Sequence, residues 1–278
     1  MKIIETIAEM QAQSLIWKRE GLRVGVVPTM GALHEGHYSL IDLISPKVDK
    51  IVLTLFVNPT QFGANEDLSK YPRTFDSDKA GCEARGVDAI FFPANEEMYC
   101  EDSSTWVEES SLSRGLCGAS RPAHFRGVTS VVAKLYNAVL PDVAVFGEKD
   151  FQQLQVLRRM TRDLNFPIEV LGAPIIREEG GLAMSSRNRY LTEKERLSAL
   201  TINKSMQEAI EKISQGMALN EAVLFIKDKI SRSGGEVDYV KIVNSETLEE
   251  LTVDTCVVKR LLVAAKYGPA RLIDNMEV

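Results

Sequence analysis

The chain has 278 residues, of which 45% are hydrophobic and 26% charged, with a formal net charge of −6 at pH 7. That length buries a sizeable core and suits one large and one smaller domain, while the acidic balance gives no basic footprint for nucleic acid. The four cysteines (Cys82, Cys100, Cys117 and Cys256) form no C-x-x-C pair, which argues against a zinc ribbon or dithiol motif and suits a reducing, cytoplasmic compartment. No apolar run approaches membrane-spanning length, and Glu5 and Glu9 among the first apolar residues are unlike a signal peptide.

In chain order, residues 2–20 predict a helix with Ile3, Ile7 and Met10 on one side. A strand is expected over 23–28, a helix over 36–47, and a second strand over 51–57 that ends at Asn58-Pro59. A polar loop runs to about Tyr71, followed by a helix to Ala84 and a strand over 87–92. Val128 to Leu140 reads as helix, 143–146 as a short buried strand, and 151–164 as helix. Short apolar strands alternating with helices predict an α/β fold, a Rossmann-like doubly wound parallel sheet, over residues 1–174. Past Pro174 the texture changes. Residues 192–232 are charged and helix-patterned from a capping box, Thr192 with Glu195. Strand-like runs follow over 237–243 and 256–265, so 175–278 predicts a smaller C-terminal α+β domain.

The most informative stretch is Pro28-Thr29-Met30-Gly31-Ala32-Leu33-His34-Glu35-Gly36-His37, on the turn from the first core strand to the next helix. Unpaired N–H groups and a positive dipole end make such a helix start a phosphate site. Histidines at i and i+3 share a face and can donate to one phosphate group. Zinc ligation fits less well: the spacing is not that of a metalloprotease helix, and only His124 remains as a third imidazole.

Four further clusters fall at predicted strand ends or loops. Asn58-Pro59-Thr60-Gln61-Phe62 offers amides for a hydroxyl or carboxylate, although alone it also reads as a polar turn. Ser120 to Gly127 carries Arg121 and Arg126 about a helix start, where they could bind phosphate or carboxylate or simply form a solvated loop. Phe146-Gly147-Glu148-Lys149-Asp150-Phe151-Gln152-Gln153 combines a close-approach glycine, a mobile cation and groups for ribose hydroxyls or a polar substrate, although charges after a strand also read as a solvated turn. Met184-Ser185-Ser186-Arg187-Asn188, after Gly180-Gly181, could clamp phosphates as a closing element, although alone it also reads as a polar loop.

Taken together, these strings resemble a known family. H-x-G-H is similar to the signature of the nucleotidyltransferase superfamily. P-T-M-G-A-L-H-E-G-H, V-N-P-T-Q-F, Y-P-R-T, R-P-x-H-F-R-G-V, F-G-E-K-D-x-Q-Q and M-S-S-R-N-R-Y-L, in that order, resemble the pantoate–β-alanine ligase family from Ile4 to about Asn275. The departures are Tyr38, where leucine is common, and Ser69, where an acidic residue is common.

The resemblance implies that His34 and His37 hold ATP phosphates and the charge developed during adenylation. It places Met30 near the reacting groups, Gln61 and Gln153 on pantoate, and Gly147 and Asp150 at the ribose. Lys149 would meet a phosphate, Ser185, Ser186 and Arg187 the outer phosphates, and Ile176 and Met184 the adenine. Pro28 and Thr29 would border the ATP site, and Tyr71 would belong to a mobile flap.

The implied reaction is attack of pantoate on Mg-ATP to give pantoyl adenylate and pyrophosphate, then attack by β-alanine to give pantothenate and AMP. No protein nucleophile is required, which fits the absence of a Ser-His-Asp or Cys-His pairing. Mg²⁺ would be held mainly by phosphate oxygens and water, and a homodimer is the implied assembly. Two rivals remain. An H-x-G-H adenylyltransferase acting on a phosphorylated acceptor should carry more basic residues. A non-catalytic nucleotide-binding module should not need the intact His34, His37, Lys149 and Arg187.

Overall fold

The computed structural model of the chain describes every residue except Ala64, Asn65 and Asp67 and the side chain of Lys70; part of the expected polar loop after Asn58 therefore lies outside the described residues. The chain divides into two compact units, Met1–Glu148 with Gln152–Pro174, and Lys149–Phe151 with Ile175–Val278.

The first unit is built on a parallel sheet. Its strands are β1 (Lys2–Ile4), β2 (Val24–Thr29), β3 (Lys50–Leu55), β4 (Ala89–Phe91), β5 (Val143–Gly147) and β6 (Glu169–Ala173), in the order β1-β4-β3-β2-β5-β6. The helices are α1 (Ile7–Arg19), α2 (Glu35–Ile44), α3 (Phe75–Glu83), the short α4 (Asn95–Met98) and α5 (Cys117–Ser120), α6 (His124–Val139) and α7 (Phe151–Asp163).

Strand residues alternate between two cores, as a period of two requires. Val26, Val52, Phe91 and Ala144 pack with Met10 and Trp17 of α1, Val132 and Tyr136 of α6 and Leu157 of α7. Val27, Leu53, Ile90 and Val145 pack with Leu40, Ile41 and Ile44 of α2 and Cys82 of α3. Helices thus cover both faces, the doubly wound arrangement expected from the alternating strands and helices. The sequence of strands runs one way from β2 through β3 to β4 and the other way from β5 to β6, so the order reverses between β2 and β5.

The predicted opening helix is corrected at its start. Lys2–Ile4 form a strand in parallel register with Ala89–Phe91, and the helix begins only after Thr6, whose hydroxyl accepts from the Glu9 N–H at 3.3 Å. The cap fixes the boundary, and Ile3 belongs to a sheet edge rather than a helix face.

The second unit packs α8 (Glu193–Ser214) and α9 (Leu219–Arg232) on an antiparallel sheet of β7 (Glu236–Asn244), β8 (Lys259–Tyr267) and β9 (Ala270–Glu277). Ile202, Met206, Ile226, Ile230, Val240, Leu261 and Val263 form its core. The Thr192–Glu195 capping box is present, with the Thr192 N–H donating to Glu195 Oε2 at 2.8 Å and the Glu195 N–H to Thr192 Oγ1 at 3.3 Å. No helix among the described residues is long and apolar enough to cross a membrane.

Candidate active site

In the first unit the polar strand ends gather where the strand order reverses, the place where open α/β sheets bind ligands. Pairing between β2 and β5 stops at Gly25↔Val143 and Val26↔Ala144, whereas β2 stays paired with β3 through Thr29↔Leu55. Pro28 therefore sits in a central strand at a point where its missing N–H leaves no gap in the β5 ladder. The Thr29 hydroxyl donates to Thr54 O at 2.7 Å and accepts from the Gly31 N–H at 3.3 Å, so it shapes the turn.

The two histidines form a reciprocal cap on α2. His34 is the N-cap residue, and its Nδ1 accepts from the Gly36 N–H at 3.1 Å. His37 Nδ1 accepts from the His34 N–H at 3.4 Å, and the ring centroids lie 4.1 Å apart. A neutral imidazole that accepts at Nδ1 carries its proton on Nε2. The helix start thus fixes the tautomer of both rings and makes Nε2 the donor of each.

Met30 and Gln61 are also brought together. Gln61 closes the short turn Pro59–Gln61 after β3, and its Nε2 donates to Met30 Sδ at 3.2 Å. The buried Asn58 donates to Gln61 Oε1 at 3.1 Å and to Gly127 O at 3.2 Å, while its own carbonyl accepts from Tyr99 OH at 2.9 Å. A Cβ on Gly127 would collide with the Thr60 carbonyl oxygen, so only glycine lets α6 approach this turn so closely.

Arg121, read as a candidate anion ligand, is instead engaged by Glu66, at 2.6 Å from Nε and 2.7 Å from Nη2. His124 Nδ1 lies 2.8 Å from Gln61 O and its Nε2 lies 3.0 Å from Arg121. The segment grips the Gln61 backbone, a structural task that its basic composition did not disclose. Burial pushes the Glu66 carboxyl upward, but Arg121, the Gly63 backbone and His124 outweigh it and hold it below the ordinary range. Tyr71, expected in a flap, is buried, with its ring edge-on to Phe62 at 6.0 Å.

Gly147 ends β5, and a Cβ there would meet no atom within 4 Å, so the space above this strand end is open to a ligand. Gln153 is half-buried on the first turn of α7. Its neighbour Gln152 is buried, donating to Leu112 O and Gly115 O, each at 2.8 Å, and accepting from the Cys117 N–H at 2.9 Å. The adjacent glutamines therefore divide into a loop anchor and a residue facing less enclosed space.

The remaining candidates belong to the second unit. Lys149 Nζ lies 3.2 Å from Asp150 Oδ2. Asn275 Nδ2 of β9 donates to Lys149 O at 3.1 Å, and the Arg260 guanidinium of β8 lies 4.3 Å from the Phe151 ring centroid. Ile176 and Met184 are joined by their backbones, the Met184 N–H donating to Ile176 O at 2.9 Å. Ser185 caps the turn Ser186–Tyr190 through the Arg187 N–H at 3.3 Å, so Ser185, Ser186 and Arg187 share one turn. Asn188 is buried under that turn, donating to Glu178 Oε1 at 2.6 Å and Ala183 O at 3.1 Å. Arg177 holds the buried Asp274 through two hydrogen bonds, of 2.7 and 2.9 Å.

Among the described residues, no group of three or more His, Cys, Asp or Glu side chains could hold a metal ion. The groups at the strand ends are imidazoles, amides and hydroxyls, with the carboxylates of Glu148 and Asp150 and the Lys149 ammonium directly after β5.

A doubly wound parallel sheet with a histidine-capped helix at its reversal point has the architecture of an α/β nucleotide-binding protein. Comparison with known proteins narrows this. The family described as Pantoate-beta-alanine ligase matches residues 2–277. A pantothenate synthetase from Sulfurihydrogenibium sp. is 49% identical over 282 residues, covering 100% of both chains. The crystal structure of pantothenate synthetase from Thermus thermophilus matches with a TM-score of 0.92 at 42% identity, covering 100% of this chain and 99% of that one. The pantoate-beta-alanine ligase from Francisella tularensis, complexed with beta-gamma ATP and beta-alanine, matches with a TM-score of 0.82 at 29% identity, covering 100% and 97%. The chain belongs to the pantoate–β-alanine ligase family.

Proposed function

We infer that this chain condenses pantoate with β-alanine in an ATP-dependent reaction, forming pantothenate and releasing AMP and pyrophosphate. The observation that carries this reading is the end-to-end family match, and it sets aside an adenylyltransferase with a phosphorylated acceptor. The test is AMP release: it should require pantoate and β-alanine together, and AMP formed at full rate without β-alanine would overturn the reading.

The chemistry follows from the residues present. A carboxylate is a poor acyl donor, and transfer to AMP supplies a leaving group without any protein nucleophile. What the protein must supply is position and fixed positive charge. We assign His34 and His37 to the phosphate under attack, each donating from Nε2. Lys149 and Arg187, with Ser185 and Ser186, serve the phosphates that depart. Gln61 and Gln153 hold pantoate, with Met30 against it. Gly147 and Asp150 take the ribose, Ile176 and Met184 the adenine, and Pro28 and Thr29 border the nucleotide. Mg²⁺ bound with ATP would neutralise phosphate charge. We further assign the enzyme to the cytoplasm as a homodimer.

A further inference from the structure

We propose that Asp78 of α3 is a positioning residue for the adenylation half-reaction, setting the Gly31–Leu33 turn that carries the imidazole pair. The proposal rests on the assignment of His34 and His37 to the attacked phosphate. Asp78 is buried, 2% exposed, and each carboxylate oxygen takes a different backbone N–H: Oδ2 accepts from Ala32 at 2.9 Å and Oδ1 from Leu33 at 2.8 Å. The Thr74 hydroxyl donates to Oδ2 at 3.1 Å. Two parallel N–H donors need two acceptor atoms. An aspartate has both, whereas an asparagine turns an NH₂ toward one of the donors.

The turn needs such a holder. Ala32 has φ 52°, in the left-handed region that residues with a Cβ avoid, and the strain persists only where the surroundings over-determine it. A cavity of about 320 Å³ borders Met30, Gly31, Thr74 and Asp78, so the carboxylate stands between this space and the turn. His34 follows Leu33 directly, and its ring must reach the Gly36 N–H to close the cap.

Helix α3 is itself locked to α2 along the same face. A Cβ on Gly81 would collide with the Tyr38 hydroxyl, the Arg85 guanidinium carbon sits 3.9 Å from the Tyr38 ring centroid, and Arg85 Nη2 lies 3.3 Å from Glu35 Oε2. Residues 78 and 81 lie three apart on α3 and Arg85 follows just past its end, so the face that seats Tyr38 also delivers the carboxylate. Tyr38 is thus part of this seat.

The test is Asp78→Asn in the full-length enzyme. Pyrophosphate formation from ATP and pantoate should fall roughly a hundredfold, the cost of misplacing a reacting group by about 1 Å. Amide formation from preformed pantoyl adenylate and β-alanine should change little. The chain has only three histidines, so ¹⁵N imidazole spectra resolve each ring. The His34 and His37 signals should shift while those of His124 stay, a signature that general loss of stability does not give. Wild-type pyrophosphate formation, equal losses in both half-reactions, or unmoved His34 and His37 signals would each overturn the proposal. Should Asp78→Asn not fold, Thr74→Val carries the same test at smaller amplitude, and unchanged spectra with unchanged adenylation would overturn it equally. His34→Asn with intact adenylation would instead remove the imidazole assignment itself, an outcome that the Asp78 spectra leave distinguishable.

Discussion

On the proposed assignment His34 has two tasks on two ring nitrogens, and they can be separated. Nδ1 caps α2, while Nε2 is the nitrogen assigned to phosphate. His34→Ala removes both. It should cost about 1 kcal/mol of stability, as loss of a side-chain cap does, and about 3–4 kcal/mol of transition-state stabilisation. His34→Asn keeps a good capping residue but has no imidazole. Its melting temperature should stay near wild type while adenylation collapses, measured by calorimetry beside a rapid-quench pyrophosphate assay. Cysteine chemistry gives a second check at this scale. Burial, aided by Asp78, raises the Cys82 thiol to about 12, and thiolate is the reactive form. At pH 8 a maleimide should label the exposed Cys100 and Cys256 and leave the buried Cys82 and Cys117 unmodified until the chain is denatured. Early labelling of Cys82 would mean that the α2–α3 contact opens readily. The histidine pair was legible in the sequence because its members lie three residues apart behind a glycine. Asp78 was not, because it reaches the turn from 46 residues away and nothing local marks one acidic helix residue among several.

Two neighbouring glutamines on α7 sit in different surroundings, Gln152 buried and Gln153 half-buried. Gln152→Ala would remove the side-chain hydrogen bonds to Leu112 O, Gly115 O and the Cys117 N–H. Of these the carbonyl of the buried Leu112 bears the loss, while Gly115 O keeps the Gly118 N–H. Unsatisfied buried groups cost about 1–3 kcal/mol each, so this variant should melt markedly earlier. Gln153→Ala should melt normally and lose pantoate affinity in titration calorimetry. Reversed behaviour of the pair would show that the assignments had been exchanged. The same split governs what could be read at this scale. Alternating apolar strands announced the sheet, and the capping box announced α8. Lys2–Ile4 escaped because three residues are too few for periodicity to tell strand from helix, and β6 because its apolar run is as short, with Gly172 breaking it. The charged stretch 192–232 proved to be two helices separated around Gly216. Arg121 looked available for an anion because sequence shows a charge but not its partner, Glu66.

The molecule has separate cores, one pair across the parallel sheet and one in the second unit. Stability should therefore be lost unit by unit. Arg177→Leu would strand the Asp274 carboxylate, whose side chain is only 3% exposed; removing one partner of a buried ion pair typically costs about 3–5 kcal/mol. Hydrogen exchange should then accelerate in β8 and β9 with β3 still protected. Uniform acceleration throughout would show that the two units unfold as one. The change of texture after Pro174 made two folding regions legible. The membership of Lys149–Phe151 in the second was not, since those residues sit inside an uninterrupted strand–helix pattern and are claimed by contacts with Asn275 and Arg260.

That membership imposes an order of assembly on the nascent chain. When Pro174 has left the ribosome, every strand of the parallel sheet has been synthesised and its hydrophobic faces can close. The lysine assigned to the nucleotide has also been made, yet the asparagine that holds its carbonyl lies 126 residues further on. Contacts of such long separation form late. The newborn enzyme would thus acquire a finished sheet well before Lys149 is fastened, and only translation of the last strand would secure that mid-chain residue. A frameshift or nick that removed only Asn275 and the residues after it would loosen a residue more than a hundred positions away.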